Sequence, residues 1–338
     1  MHLKIYDNID SFRELEPEWN DLLERSYANR IFSTFEWQLT WLEAYRPDEI
    51  WIITCRDQHG KLIGIAPWFI EIRPDERVVR SIGCVDVTDY VDLIVDREWI
   101  EPVLRLFAAQ MTENHARYDR INLCNIPEGS PTLDHFAGHM GECGFTTELE
   151  FQEVCPVIEL PETWEGYLEG LDKKNRHELR RKLRRAEGET QSLDWYIVGP
   201  EHDLQTELDT FLELMAASQP AKAEFLSDAR NQAFFQSLTE RTYARGWLQL
   251  NFLVADGVRV AAYYNFAYNG NIQVYNSGLL PSQYGHISPG IVLVAYNIRH
   301  AIEHGRHLFD FLRGNEEYKY RLGAKDTRIF KLKAQAAA

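Results

Sequence analysis

The sequence predicts an α/β protein with mixed sheets, arranged as two tandem domains over residues 1–150 and 151–334. Three observations lead there. At 338 residues, with 45% apolar and 26% charged side chains, the chain can bury two ordinary globular cores. Each half runs in the same order: helices, then an antiparallel meander, then a strand–helix–strand unit. Each meander also carries a similar strand after a glycine-bearing turn, LIGIAPWF at 62–69 and RVAAYYNF at 259–266.

In the first half, residues 3–5 form a strand, and Leu15, Trp19, Leu22 and Leu23 give a helix over 11–25 its apolar face. Ser33 and Glu36 make a capping box for a helix over 34–45. Alternating runs at 50–55 and 62–72, joined by the polar turn RDQHGK, predict a hairpin. A strand at 90–95 follows the loop SIGCVDVTD. A helix over 100–113, a strand over 120–125 and a helix over 133–143, stopped by Gly144, complete the half.

The second half opens with a strand at 154–160, a helix over 163–188, a strand at 195–198 and helices over 201–218 and 228–245. A strand at 247–255 follows. Asp256-Gly257 and Asn269-Gly270 are two-residue hairpin turns leading to strands at 258–268 and 271–278. A connection bearing Pro281, Ser282, Gly285 and Ser288 then reaches a helix with Ser288 as N-cap and Pro289 in first position. Ile291, Val294, Ala295, Ile298 and Ile302 form its apolar face, and Gly305 ends it. A strand at 307–312 runs into Arg313-Gly314. Such a βαβ unit aims unpaired helix N–H groups at a crevice, where phosphate is well received.

The net charge of −16 excludes nucleic-acid binding by the surface as a whole. Against it stands the basic stretch Lys173, Lys174, Arg176, Arg180, Arg181, Lys182, Arg184 and Arg185. It suits a solvated helix, a seat for carrier phosphates, a polyanionic acceptor, tRNA or anionic lipid. Cys55, Cys84, Cys124, Cys143 and Cys155 are scattered, indicating neither a zinc site nor a disulfide framework. His286, His304 and His307 lack metal-ligand spacing, so no metal is expected. The amino terminus has no signal-peptide layout, and no apolar run reaches 18 residues. The expectation is a reduced cytoplasmic protein without a membrane span.

Several stretches carry a family resemblance. They are IFSTFEWQLTWLEAY (31–45), KLIGIAPWF (61–69), TDYVDLIVD (88–96), KKNRHELRRKLRR (173–185), ADGVRVAAYYNF (255–266), SPGIVLVAYNIRHAIEHG (288–305) and FDFLRGNEEYKYRLGA (309–324). In these the chain resembles the BioF2-like, CelD-type acetyltransferases of the GNAT superfamily, relatives of the FemABX transferases with a duplicated GNAT fold. The last block is the most specific.

The resemblance implies two GNAT-like domains and acyl transfer from a thioester, acetyl-CoA or another acyl-CoA, to an amine by direct attack. It places the donor at Gly285, His286, Ser288 and Gly290, with Arg313 as a further anion ligand. Gly285 and Gly290 keep the family loop's glycines, while its basic residue and tight glycine spacing are absent. Lys319 is expected to hold the tetrahedral oxyanion or a phosphate, and Tyr318 to protonate the leaving thiolate. Glu316 and Asp310 either accept the amine proton or pair with Arg313 and Lys319. In the first half, Asp89, Tyr90 and Asp92 are expected to shape the acceptor pocket, with Asp89 orienting or deprotonating the amine. The alternative makes Asp89 a turn cap and leaves Asp92 solvated. The acceptor is a small-molecule amine or a glycan or envelope precursor. Rival readings are aminoacyl transfer from charged tRNA and a non-catalytic GNAT pair that binds a polyanion or a partner.

Overall fold

The computed structural model describes residues 1–84, 87–280 and 284–336, and divides into two compact units. The first comprises Met1–Val154 with Thr327–Ala338, the second Cys155–Asp326. Residues 327–334, expected in the second domain, therefore belong with the first.

The chain opens with β1 (His2–Tyr6), α1 (Ile9–Arg13) and α2 (Glu16–Glu24), so the single helix expected over 11–25 is two. α3 (Phe35–Tyr45) is capped by Thr34, whose hydroxyl accepts from Trp37 N–H, and not by Ser33, which ends a 3-10 turn. β2 (Glu49–Arg56) and β3 (Leu62–Ile72) form the predicted hairpin. β4 (Arg77–Ser81) was not foreseen. The strand expected at 90–95 reduces to β5 (Ile94–Val95), because the preceding residues are buried in an irregular path. α4 (Ile100–Glu113), β6 (Arg120–Pro127), α5 (Ala137–Glu142) and a long β7 (Phe145–Glu159) follow.

Helices α6 (Trp164–Gly170) and α7 (Lys173–Glu189) replace the single helix at 163–188, because Asp172 caps a fresh start. Next come β8 (Leu193–Ile197), α8 (Leu204–Ser218), α9 (Pro220–Ser227), α10 (Ala229–Ala244) and β9 (Leu248–Ala255). β10 (Val258–Tyr268) and β11 (Asn271–Leu279) follow the two hairpin turns, where Asp256, Gly257, Asn269 and Gly270 all have positive φ. The chain ends with α11 (Pro289–Glu303), β12 (Leu308–Asp310), α12 (Glu317–Arg321) and β13 (Lys325–Ala336), a strand the sequence pattern did not reveal. The expected connection residues Pro281 and Ser282 lie outside the described residues.

In the first unit the strand order is β1-β2-β3-β4-β6-β13-β7, with β5 also on β3. β4 and β6 pair in parallel across α4. In the second unit the order is β7-β12-β11-β10-β9-β8, with β11 and β12 parallel across α11. A glycine admits a helix onto a strand in each unit. A Cβ on Gly64 would lie 2.5 Å from Val103, and one on Gly278 would lie 2.5 Å from the backbone of Met215.

The parallel pairing of β4 with β6 brings Cys84 and Cys124 within 5.8 Å at Cα, and they are bonded as a disulfide. This corrects the expectation from spacing, which cannot see a bridge between residues 40 apart. Alkylation of the unfolded, unreduced protein should label Cys55, Cys143 and Cys155 alone. Labelling of all five without reductant would show the bridge to be absent.

Candidate active site

One polar residue fixes the helix on which the site is built. α11 buries Val292, Leu293, Ala295, Ile298 and Ala301 against the second unit's sheet, and among them Asn297. The Asn297 carbonyl oxygen accepts from Gln249 at 3.0 Å and Asn265 at 3.1 Å. Its amide donates to the Asn251 side chain at 2.7 Å and to the Leu293 carbonyl at 2.8 Å. All four side chains are buried, so the helix cannot slide without stranding several amide groups away from water.

Two turns upstream the helix opens at Ser288. This residue has φ 56°, and its carbonyl accepts from the N–H groups of Ile291 and Val292. Its hydroxyl makes no capping bond, so backbone conformation starts the helix and not the side-chain cap expected. A left-handed non-glycine residue stores about 1–2 kcal/mol. Gly290 packs against Leu279 at the end of β11.

Below that opening the sheet comes apart. β11 and β12 pair only at residues 271–273 and 308–310, while β11 runs on to Leu279. After Asp310 the chain turns away through Leu312 (φ 56°) and Gly314 (φ 109°), and Asp310 accepts from the Leu312 N–H at 2.8 Å. Lys319 shapes this departure. Its buried ammonium donates to the carbonyls of Arg313 at 2.9 Å, Gly314 at 3.0 Å and Leu312 at 3.4 Å, and pairs with Glu316 at 2.9 Å. Its protons are engaged with its own loop, so the geometry gives it a structural duty in place of the expected oxyanion contact.

Glu316, largely exposed, is the electrostatic centre of the notch. Burial keeps the phenol protons of Tyr263 and Tyr318 well past neutral pH, and the charge of Glu316 reinforces this for both. Both tyrosines are therefore hydrogen-bond donors and not bases. Tyr263 donates to the Gly290 carbonyl at 3.3 Å, tying β10 to the helix opening. Lys222, from α9, donates to the carbonyl of Ser277 at 2.6 Å and to its hydroxyl at 3.4 Å. Its pKa is lowered by burial, an effect Glu316 partly offsets. Tyr263 and Lys222 were not foreseen. They stand on elements distant in sequence, and no local spacing marks them.

Gly285 and His286 lie in an exposed turn before α11, where Arg185 of α7 reaches the His286 carbonyl at 3.5 Å. The basic helix thus packs beside the helix opening. It buries Leu179 and Ala186 and exposes Lys173, Lys174, Arg180, Arg181, Arg184 and Arg185. A cavity of about 70 Å³ between α7, α11 and α12 is lined by Asn175, Lys182, Ile291, Tyr318 and Arg321 among others. Arg313 is half-buried at the turn from β12.

The remaining expected residues belong to the first unit. Asp92 is buried and not solvated; it accepts from Thr132 at 2.5 Å and from the Leu93 N–H at 2.8 Å. Burial raises its pKa against these bonds. The ring of Tyr90 lies under the Arg30 guanidinium at 4.9 Å, and Asp89 is buried. Among the described residues no group of His, Cys, Asp or Glu is gathered as a metal ion would require. No helix among them is long and apolar enough to cross a membrane.

Comparison with known proteins agrees with this architecture. The family described as acetyltransferase (GNAT) domain matches residues 173–320. No curated protein matches the sequence. Among solved structures, FemX shares 12% identity over 98% of this chain and 97% of its own, with a TM-score of 0.66. A conserved protein of unknown function from Bacteroides thetaiotaomicron shares 12% over 99% and 100%, with a TM-score of 0.61. L-PGS from Bacillus licheniformis shares 12% over 95% and 92%, with a TM-score of 0.58. At such identities the likeness is one of fold, and it extends over the whole chain.

Two substitutions test the geometry. Asn297→Ala leaves buried amides unpaired and should destabilise the protein by about 2–4 kcal/mol in denaturant unfolding. A loss under about 0.5 kcal/mol, the range of a neutral surface change, would contradict the anchoring role. Lys319→Met should cost about 2 kcal/mol, because three carbonyls and a carboxylate lose their partner. An unchanged melting curve would show the clamp to be unimportant.

Proposed function

With a GNAT domain across residues 173–320 and a FemX-like fold throughout as the premise, we propose that the protein is an N-acyltransferase. It moves an acyl group from an acyl-CoA thioester to an amine by direct attack in a ternary complex. The observation that carries this is the parting of β11 from β12 after residues 273 and 310, beneath the opening of α11. A parted strand pair offers free backbone to an extended amide-bearing donor, and a helix opening favours its phosphates. Gly285, His286, Ser288, Gly290 and Arg313 would seat the donor.

At the notch, the acceptor amine attacks the thioester carbon, and Glu316 takes the amine proton. Tyr318 donates a hydrogen bond to the departing thiolate. Asp310 serves the acceptor, a small-molecule amine or a glycan or envelope precursor. The reading places the enzyme in the cytoplasm, among the BioF2-like, CelD-type transferases.

The exposed basic face of α7 favours a second reading, in which the donor is a charged tRNA. The two differ in salt response. Binding through 6–10 phosphates weakens about 10³–10⁵-fold between 50 and 200 mM salt, whereas a thioester bound mainly by backbone does not.

Acetyl-CoA at about 100 times its Kd should stabilise the protein by about 2.7 kcal/mol. That corresponds to several degrees at about 2–4 °C per kcal/mol. A shift below a degree with acetyl-CoA and longer acyl-CoAs, alongside salt-sensitive tRNA binding, would replace the first reading with the second.

A further inference from the structure

An acyl transfer needs a donor where negative charge develops, and Lys319 is engaged with its own loop. Lys222 is differently placed. Ser277, to which it is bonded, lies four residues beyond the last β11–β12 pair, on the stretch of β11 that β12 has left. Its position is fixed by packing. Gly278, the next residue, lets the backbone of Leu214 and Met215 in α8 lie directly on β11, and α9 follows α8 after Gln219 alone. The ammonium bonds only to the carbonyl and hydroxyl of Ser277 among the described residues, which leaves one of its three N–H donors available. Glu316 is the charge that acts on it.

We propose that Lys222 donates to the thioester carbonyl oxygen of the bound acyl donor and holds the oxyanion that forms there. This rests on the acyltransferase reading. The amine lone pair forms the C–N bond as the C=O pair moves to oxygen, where the Lys222 N–H meets it. Collapse of that intermediate restores C=O and breaks C–S. The amine proton goes to Glu316, and the thiolate is protonated from solvent. Ser277 orients the ammonium beforehand, so little reorganisation is needed as charge appears, and partial burial strengthens the interaction.

The test uses the full chain, with acetyl-CoA binding measured by calorimetry. Thiol release is followed with an amine acceptor, or with water as acceptor. Lys222→Met should lower kcat about 10²–10³-fold, as loss of one oxyanion donor does, with KM for acetyl-CoA changed less than about 3-fold. Lys222→Arg should recover part of the rate. A Lys222→Met protein of unchanged melting temperature that keeps kcat within about 3-fold, or that loses kcat/KM through KM alone, overturns the proposal. A second readout needs no turnover. Acetylation of Lys222 by an N-hydroxysuccinimide ester, followed by mass spectrometry, should slow about 5-fold or more when acetyl-CoA saturates the site, since at 80% or greater occupancy the amine is covered. Unchanged labelling with calorimetric saturation also overturns it. A wild-type protein that binds no acetyl-CoA refutes the acyltransferase reading itself, which the calorimetry reports separately.

Discussion

The bracket of Asn297 to Gln249, Asn251 and Asn265 is the constraint on which the second unit depends. Apolar contacts alone would hold α11 to the sheet while letting it rotate or slip by a fraction of a turn at small cost. Directional amide bonds in a dry interior do not allow that. The position of the helix opening, the Gly290 carbonyl that Tyr263 meets and the close contact with Leu279 all follow from where those four side chains lock.

The notch beneath that opening is equally built and not left over. Parallel pairing stops after three residue pairs because the chain past Asp310 is drawn aside by left-handed turns at Leu312 and Gly314, which Lys319 stabilises from within. Two lysines thereby divide the work of one region. Lys319 binds the carbonyls of the departing segment, and Lys222 binds a carbonyl of the strand it departs from. Glu316 pairs with Lys319 and acts electrostatically on Lys222, as well as on the two buried phenols.

Much of this was legible in the residues. The Asp256-Gly257 and Asn269-Gly270 turns fixed β9, β10 and β11 almost to the residue, because positive φ at both positions leaves little else open. The βαβ unit with Pro289 leading its helix was equally plain. β4 and β13 were not, since short or polar strands gain their place from neighbours and carry weak periodicity of their own. Glu316 and Tyr318 stand in the block at 309–324 and Gly290 in the one at 288–305, both visible in the sequence. Lys222, Tyr263 and the Cys84–Cys124 bridge come from residues far apart in the chain, and only the tertiary pairing brings each beside its partner. Lys319 shows the opposite error. Its ammonium donates to its own loop, and no pattern in sequence tells a lysine facing a ligand from one facing its own carbonyls.

The last strand has a consequence for how the molecule is made. β13 pairs with β6 as a member of the first unit, although nearly all of the second unit is synthesised before it. The edge of β6 that β13 takes is therefore open on a nascent chain until Lys325–Ala336 has been made. The second unit, contiguous in sequence, can close earlier. Translation thus imposes an order in which the half begun first is the half completed last.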